Sequence, residues 1–196
     1  IWEYSGKTKT VDDVESSEIY WDTVLFDKSD SYVHSGSYCY RAANHSSSLH
    51  KLTSRDPYLV KENDSLKFWI YYRIEPGWDY FYAQISTDGG YVFENLANDL
   101  TTMDDPNGRN WGNGITGTST DWIEIKFDLS SYENKEVICE IIQEERRSLT
   151  GSSAGYRTRI IFNAITKSEL SHHFNVVPCS LFKPLGLKEF PMSMKP

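Results

Sequence analysis

Trp69-Ile70-Tyr71-Tyr72-Arg73-Ile74-Glu75-Pro76-Gly77-Trp78-Asp79-Tyr80-Phe81-Tyr82-Ala83-Gln84-Ile85-Ser86-Thr87-Asp88-Gly89-Gly90-Tyr91-Val92-Phe93 is the stretch that decides the fold. Phe68, Ile70, Tyr72 and Ile74 alternate with Trp69, Tyr71 and Arg73. Tyr80, Tyr82 and Gln84 alternate in the same way with Phe81, Ala83 and Ile85, which is the period of two of a β-strand. Pro76-Gly77 marks a reversal between the two strands, because proline presets the turn backbone and glycine accepts dihedrals other residues resist. Asp88-Gly89-Gly90 closes the next hairpin.

The same reading extends along the chain. Ser37 to Arg41 forms a strand entered through Ser35-Gly36, and Leu49 to Thr53 forms another after Ser46-Ser47-Ser48. Lys61-Glu62-Asn63-Asp64 links to the long strand Ser65 to Ile74, and Asp79 to Ser86 is its partner. Trp122 to Phe127 resumes strict alternation, Asp128 to Tyr132 turns, and Glu136 to Ile142 forms a further strand. Turn signals every 8 to 12 residues or so are what a β-sandwich requires, and Trp69 or Tyr71, Ile85, Ile123 and Phe127 are expected to contribute to its core. Residues 98 to 121 carry Asn98-Asp99, Asp104-Asp105-Pro106-Asn107-Gly108 and Gly112-Asn113-Gly114 and bury no continuous apolar face. They read as a long loop pinned to the sheet by Trp111, of a length often given over to function.

A chain of 196 residues suits one all-β domain, or one domain plus an extension. Its 13 tyrosines and 6 tryptophans can fill a sandwich interior while hydroxyls reach the wet edge. The net charge of -8 and the absence of a basic stripe argue against nucleic acid or an anionic membrane as partner. Glu144-Glu145-Arg146-Arg147 is mixed in sign and reads as a solvated face or loop. No apolar run reaches bilayer-spanning length, and no signal peptide stands at Ile1. A start at Ile1 suggests an excised or processed form. Cys39, Cys139 and Cys179 show neither a disulfide framework nor metal-ligand spacing, and Cys39 and Cys139 read as buried thiols. Asn44-His45-Ser46 and Asn63-Asp64-Ser65 are sequons that matter only in a secretory setting.

Taken together, His34-Ser35-Gly36-Ser37-Tyr38, Phe68-Trp69, Glu75 through Tyr80, Ile85-Ser86-Thr87-Asp88-Gly89-Gly90, Gly117 with Trp122, and Phe127 to Tyr132 carry a family resemblance. Over roughly residues 20 to 140 the chain resembles the jelly-roll domain, MAM-like in architecture, that accompanies immune inhibitor A-type secreted metallopeptidases. The resemblance implies a two-sheet antiparallel β-sandwich of jelly-roll type. The family pattern ends in a strand with Arg-Tyr-x-Thr-Asp and a closing Gly-x-x-x-Asp-Asp-Ile, whereas this chain offers Gln143 to Arg147 and no Asp-Asp-Ile. The expected division is therefore a sandwich domain over 1–142 and an irregular, divergent or frameshifted C-terminal extension over 143–196.

No His-Glu-x-x-His zinc helix is present, and His34, His45, His50, His172 and His173 have no zincin spacing. Gly151-Ser152-Ser153-Ala154-Gly155 fits the nucleophile-elbow pattern, with Glu169 and His172 following in hydrolase order. The elbow needs a buried apolar strand before Ser153, and charged residues stand there instead, so a small serine hydrolase ranks last. Glu75 and Asp79 flank the Pro76-Gly77 turn, and a jelly roll brings Asp12, Asp13 and Asp27 toward its closing strand. Glu75, Asp79 and Asp27 are the candidate ligands of a structural calcium ion, a hard cation that takes six to eight or so oxygens. The resemblance implies calcium as well. Trp78, Tyr80 and Trp111, with Tyr82 and Tyr91 near them, are candidate ligand-contact aromatics, set against the core-packing role most of them are expected to have.

The sequence thus leads to a non-catalytic, extracellular or cell-surface accessory module of a metallopeptidase-like protein, for adhesion, substrate positioning or packing. Its expected partners are a parent catalytic domain, an extracellular protein or a glycan. The alternative is a carbohydrate-binding module of the same architecture.

Overall fold

In the computed structural model, which describes residues 11–12, 14–15, 20–42, 48–145 and 159–166, the alternating segments are strands and the turn signals lie between them. In chain order the strands are β1 (Val11–Asp12), β2 (Trp21–Val24), β3 (Phe26–Ser29), β4 (Cys39–Ala42), β5 (Ser48–Ser54), β6 (Tyr58–Leu59) and β7 (Ser65–Ile74). They continue as β8 (Tyr80–Ser86), β9 (Glu94–Asn95), β10 (Gly117–Thr118), β11 (Ile123–Asp128), β12 (Glu136–Glu145) and β13 (Arg159–Thr166). A 3-10 turn at Ser130–Tyr132 is the helical element among the described residues.

The protein is all-β, with antiparallel sheets forming a sandwich of jelly-roll type. The first sheet has seven strands, with β11 and β10 both on one side of β7 and then β7-β13-β4-β3, and β1 against β13. The second has six, ordered β2-β5-β12-β8-β9, with β6 against β12. Connections cross between the sheets, so β7 and β8 are consecutive in sequence yet lie in opposite layers.

The core follows from the pleat. Leu66, Phe68, Ile70, Tyr72 and Ile74 of β7 point inward and meet Phe81, Ala83 and Ile85 of β8 and Val137, Cys139 and Ile141 of β12. Phe68 lies edge-on to Phe81 across the layers at 6.0 Å and 78° and contacts Phe127 of β11 at 6.1 Å. The expected core contributors Ile85 and Phe127 are fully buried, and Ile123 packs on the cluster partly buried. The expectation that Trp69 or Tyr71 enters the core is corrected. Successive side chains of a strand point to opposite faces, so the inward even-numbered set sends both outward. There Trp69 stacks on His34 at 4.1 Å, and Trp122 adjoins both His34 and Tyr71.

The expected boundary after residue 142 is also corrected, because residue 142 falls inside β12, which pairs with β5 and β8 as far as Glu145 and Glu144. β13 then inserts between β7 and β4. The sandwich therefore needs chain beyond residue 142 for a central strand of its first sheet. Residues 146–158 and 167–196, with Ser153, Glu169, His172, His173 and Cys179, lie outside the described residues, as do Asp13 and the Asn44 sequon. In the second sequon Asn63 takes a left-handed turn conformation (φ 64°), while Ser65 is buried at the start of β7.

Cys39 and Cys139 are buried and lie in different sheets. Burial pushes the Cys39 thiol up to about 11, which leaves little thiolate at neutral pH.

The register of β7 is open to a direct test. Phe68→Ala removes the edge-on contact with Phe81 and should cost about 3–5 kcal/mol in urea unfolding. Trp69→Ala should cost much less, because half-buried positions outside the core give smaller losses. Equal or reversed costs would place the other face of β7 inside.

Candidate ligand-binding face

Putting Phe81, Ala83 and Ile85 into the core turns Tyr80, Tyr82 and Gln84 to the outer face of the second sheet. By the same alternation β12 presents Glu140, Ile142 and Glu144 there, and β5 presents Leu49, Lys51 and Thr53. Antiparallel register lines them up in rows: Thr53, Glu140, Gln84 and Asn95; then Lys51, Ile142 and Tyr82; then Leu49, Glu144 and Tyr80.

The first row is a hydrogen-bonded polar strip. Thr53 donates its hydroxyl to Glu140 at 2.7 Å, Lys51 Nζ lies 3.2 Å from the same carboxylate, and Gln84 donates its amide to Asn95 at 2.6 Å. Asn95 in turn donates to the carbonyls of Trp111 and Gly112 at 3.1 and 2.6 Å. The strip therefore reaches from β5 across the sheet into the long loop.

That loop folds on itself through a bridge from Thr102 to Gly114 and joins the sheet through a bridge from Ile115 to Phe81. Its tip is braced from within. The Asp105 carboxylate accepts the amides of Arg109 and Asn110, and these bonds hold it below the ordinary carboxylate range. Asn110 donates to the carbonyls of Thr102 and Asp104 at 2.8 and 3.0 Å. Gly114 permits the close approach, since a Cβ there would sit 2.6 Å from the Tyr80 ring and 3.0 Å from the Tyr82 ring. Neither ring can withdraw, for both are buried beneath the loop.

Trp111 sits on top of this arrangement. Its indole stacks on Tyr82 at 5.1 Å and 7°, and its amide donates to the Tyr82 hydroxyl at 3.0 Å. With one ring face covered by Tyr82, the residue is still 46% exposed, which leaves the other ring face and edge toward solvent. Burial raises the Tyr82 hydroxyl well above the ordinary phenol range and keeps it neutral.

The candidate residues from sequence divide accordingly. Trp111 pins the loop and remains exposed. Tyr80 is 1% exposed, with its hydroxyl donating to Asp104 O at 3.2 Å, so it supports the loop from below and offers a ligand no surface. Trp78 is half-buried at the Pro76-Gly77 turn, which the loop also touches through Asn107, donating to Gly77 O at 3.0 Å. Tyr91 projects from the hairpin, 90% exposed. Sequence reasoning missed Lys51, Thr53, Glu140 and Asn95. They come from three strands far apart in the chain, β5, β9 and β12, and no local motif joins them.

The structure brings Glu75 and Asp79 together at one end of the sandwich, where Asp79 donates its amide to Glu75 O at 3.1 Å. It does not bring Asp27 to them. Asp27 is exposed on edge strand β3, with β4 and β13 between it and β7, on the order of 14 Å away across the strands alone. Among the described residues no group of three or more His, Cys, Asp or Glu is disposed to hold a metal ion, so the three expected calcium ligands do not make one site. Glu145 is the carboxylate that instead feels Glu75 and Asp79. Burial, then the charges of Asp79 and Glu75, push it up to about 7. Burial and then Asp79 raise Glu75 as well. Gln143, two residues earlier on the same face of β12, is fully buried with neither amide atom hydrogen-bonded.

No protein-family profile matches the chain. Over 73 residues it is 34% identical to the pre-pro-metalloprotease PrtV of Vibrio cholerae serotype O1, in strains M66-2 and El Tor Inaba N16961 alike. That segment is 37% of this chain and 7% of the protease, so the chain corresponds to a small part of these relatives. Among solved structures, the C-terminal family 22 carbohydrate-binding module of Clostridium thermocellum Xyn10B aligns with a TM-score of 0.48 at 11% identity, covering 81% of this chain and 92% of that one. The K2 cleaved adhesin domain of Lys-gingipain aligns with a TM-score of 0.41 at 17% identity, covering 82% and 90%.

The carboxylates at the sandwich end set a pH dependence. Glu145 loses its proton near the ordinary value of 4.5 when unfolded and near 7 when folded. Its favourable contribution is therefore complete below about 4.5 and is lost as pH rises to about 7. Urea unfolding from pH 5 to pH 8 should show stability falling, and Glu145→Gln should flatten that fall. A variant with the same slope as the parent would assign the fall to another group.

Proposed function

We propose that this chain is a non-catalytic, extracellular accessory module that binds carbohydrate on the outer face of its second sheet, within a larger metallopeptidase-like protein. The observation that carries the reading is the Trp111–Tyr82 stack. A sugar ring offers one apolar C–H face and a rim of hydroxyls. An indole with one face braced and the other exposed suits the apolar face. Lys51, Thr53 and Asn95, the partly exposed members of the strip, supply donors and acceptors for the hydroxyls, and their hydrogen bonds to buried Glu140 and Gln84 hold them in position before a ligand arrives.

The face has the character of a binding surface more than of a catalytic one. Glu140 is engaged by Lys51 and Thr53, a pairing that favours a carboxylate acting as hydrogen-bond acceptor. The match to a segment of a metalloprotease supports the accessory position in a larger chain. The same match supports an extracellular setting, which suits a glycan ligand.

Affinity electrophoresis in gels containing soluble xylan, galactan, mannan or β-glucan tests the reading. At least one polysaccharide should retard the chain, and Trp111→Ala should weaken that retardation by about thirtyfold or more, as loss of a hot-spot aromatic does. Circular dichroism of the variant should be unchanged, since Trp111 lies outside the core. Absence of retardation in every gel, or retardation indifferent to Trp111→Ala, would remove the carbohydrate reading.

A further inference from the structure

The edge of the first sheet formed by β11 carries a second, independent surface. Pairing to β7 in the register Ile123 to Ile70 and Phe127 to Leu66 commits the backbone groups of alternate residues. On β7, Tyr72 turns its N–H and C=O toward the β11 side, where they meet Ser119, so the even-numbered residues of β7 bond in that direction. Their partners Ile123, Ile125 and Phe127 therefore bond inward to β7. Glu124 and Lys126 then turn their backbone groups out along the edge. The amide of Asn98, which donates to Lys126 O at 3.2 Å from outside the sheet, fits that orientation. No described strand pairs with this edge.

Beside it runs a groove of about 390 Å³, lined by Asn98, Asp99 and Leu100 on one side and Ile123 to Lys126 on the other. Leu100 is 44% exposed at its rim. Edges of this kind recruit another strand unless charge or shape forbids it. Here the charges choose the partner. Glu124 and Lys126 both project from the outer face of the sheet, opposite in sign and two residues apart.

We propose that β11 pairs with β11 of a second copy of this chain, antiparallel and centred on Ile125, joining the two first sheets into one. About that centre Glu124 of each copy lies opposite Lys126 of the other, and both pairs exchange their backbone hydrogen bonds. Opposite charges directly across a ladder attract, whereas like charges repel. Centring on Glu124 would set two glutamates face to face, and centring on Lys126 two lysines, so the charge pattern fixes a single register. The arrangement is isologous, as a two-fold dimer requires. The Lys126 carbonyl has a second lone pair, so it can accept from the partner while Asn98 remains.

Sedimentation velocity of the 196-residue chain over about 1–300 μM, at low and high salt, tests this. The parent should shift from monomer to dimer, with association weaker at high salt. Glu124→Lys alone and Lys126→Glu alone should each weaken dimerisation by about tenfold or more, because each reversal turns both cross-copy pairs repulsive. The double variant Glu124→Lys with Lys126→Glu should restore it, since the inverted ladder is again complementary. Both side chains are exposed in the monomer, so all four proteins should remain folded at low concentration. A parent that stays monomeric throughout would overturn the proposal. So would a dimer indifferent to the single reversals, or a double variant that fails to recover.

Discussion

Phe68 of β7 meeting Phe81 of β8 across the two layers is the contact on which the remaining arrangement depends. A strand side chain inside the sandwich commits its neighbours to the outside. With Phe68 buried, Trp69 and Tyr71 must face outward from the first sheet. With Phe81 buried, Tyr80, Tyr82 and Gln84 must face outward from the second. The outer face of the second sheet is thus a consequence of how the core is filled. Phe127, touching Phe68 from β11, extends the same constraint to the sheet edge and fixes which of its residues turn their backbone outward.

What shapes that outer face as the candidate site is the long loop between β9 and β10. Polar and glycine-rich, it enters the core through Leu96 and Ile115 near its two ends and otherwise lies on Tyr80 and Tyr82, which Gly114 allows by having no side chain. Asp105 and Asn110 close its tip with hydrogen bonds, and Asn95 ties it to the polar strip. Trp111 is therefore held at both its ring and its backbone while much of its surface stays in water. At the neighbouring sandwich end, Glu75, Asp79 and Glu145 place like charges in a poorly solvated corner, a setting that disfavours full ionisation.

Alternation made the strands legible, because 65–74, 80–86 and 123–128 each switch polarity or size at every residue. It could not say which half of β7 lies inside, since both halves are rich in aromatics and branched residues. Trp111 was legible as the pin of the loop, as a large aromatic in a segment otherwise made for turns. The burial of Tyr80 was not, because it depends on the loop folding back. Asp27 was grouped with Glu75 and Asp79 because strand order is absent from local sequence, and the structure sets β3 at the far edge. β13 was missed although Arg159-Ile160-Ile161-Phe162 has the β-branched and aromatic character of a strand. The departure from the family pattern before it outweighed that signal.

The account's central claim is that ligand recognition lies on the second sheet at Trp111, and the six tryptophans provide a direct reading of it. Each indole N–H gives one proton–nitrogen NMR signal, and Trp69 and Trp122 report the opposite sheet. Titrating the polysaccharide that retards the chain into labelled protein should shift the Trp111 indole signal and the backbone signals of Thr53, Gln84 and Asn95, leaving Trp69 and Trp122 in place. Shifts confined to Trp69 and Trp122, with Trp111 unmoved, would contradict it.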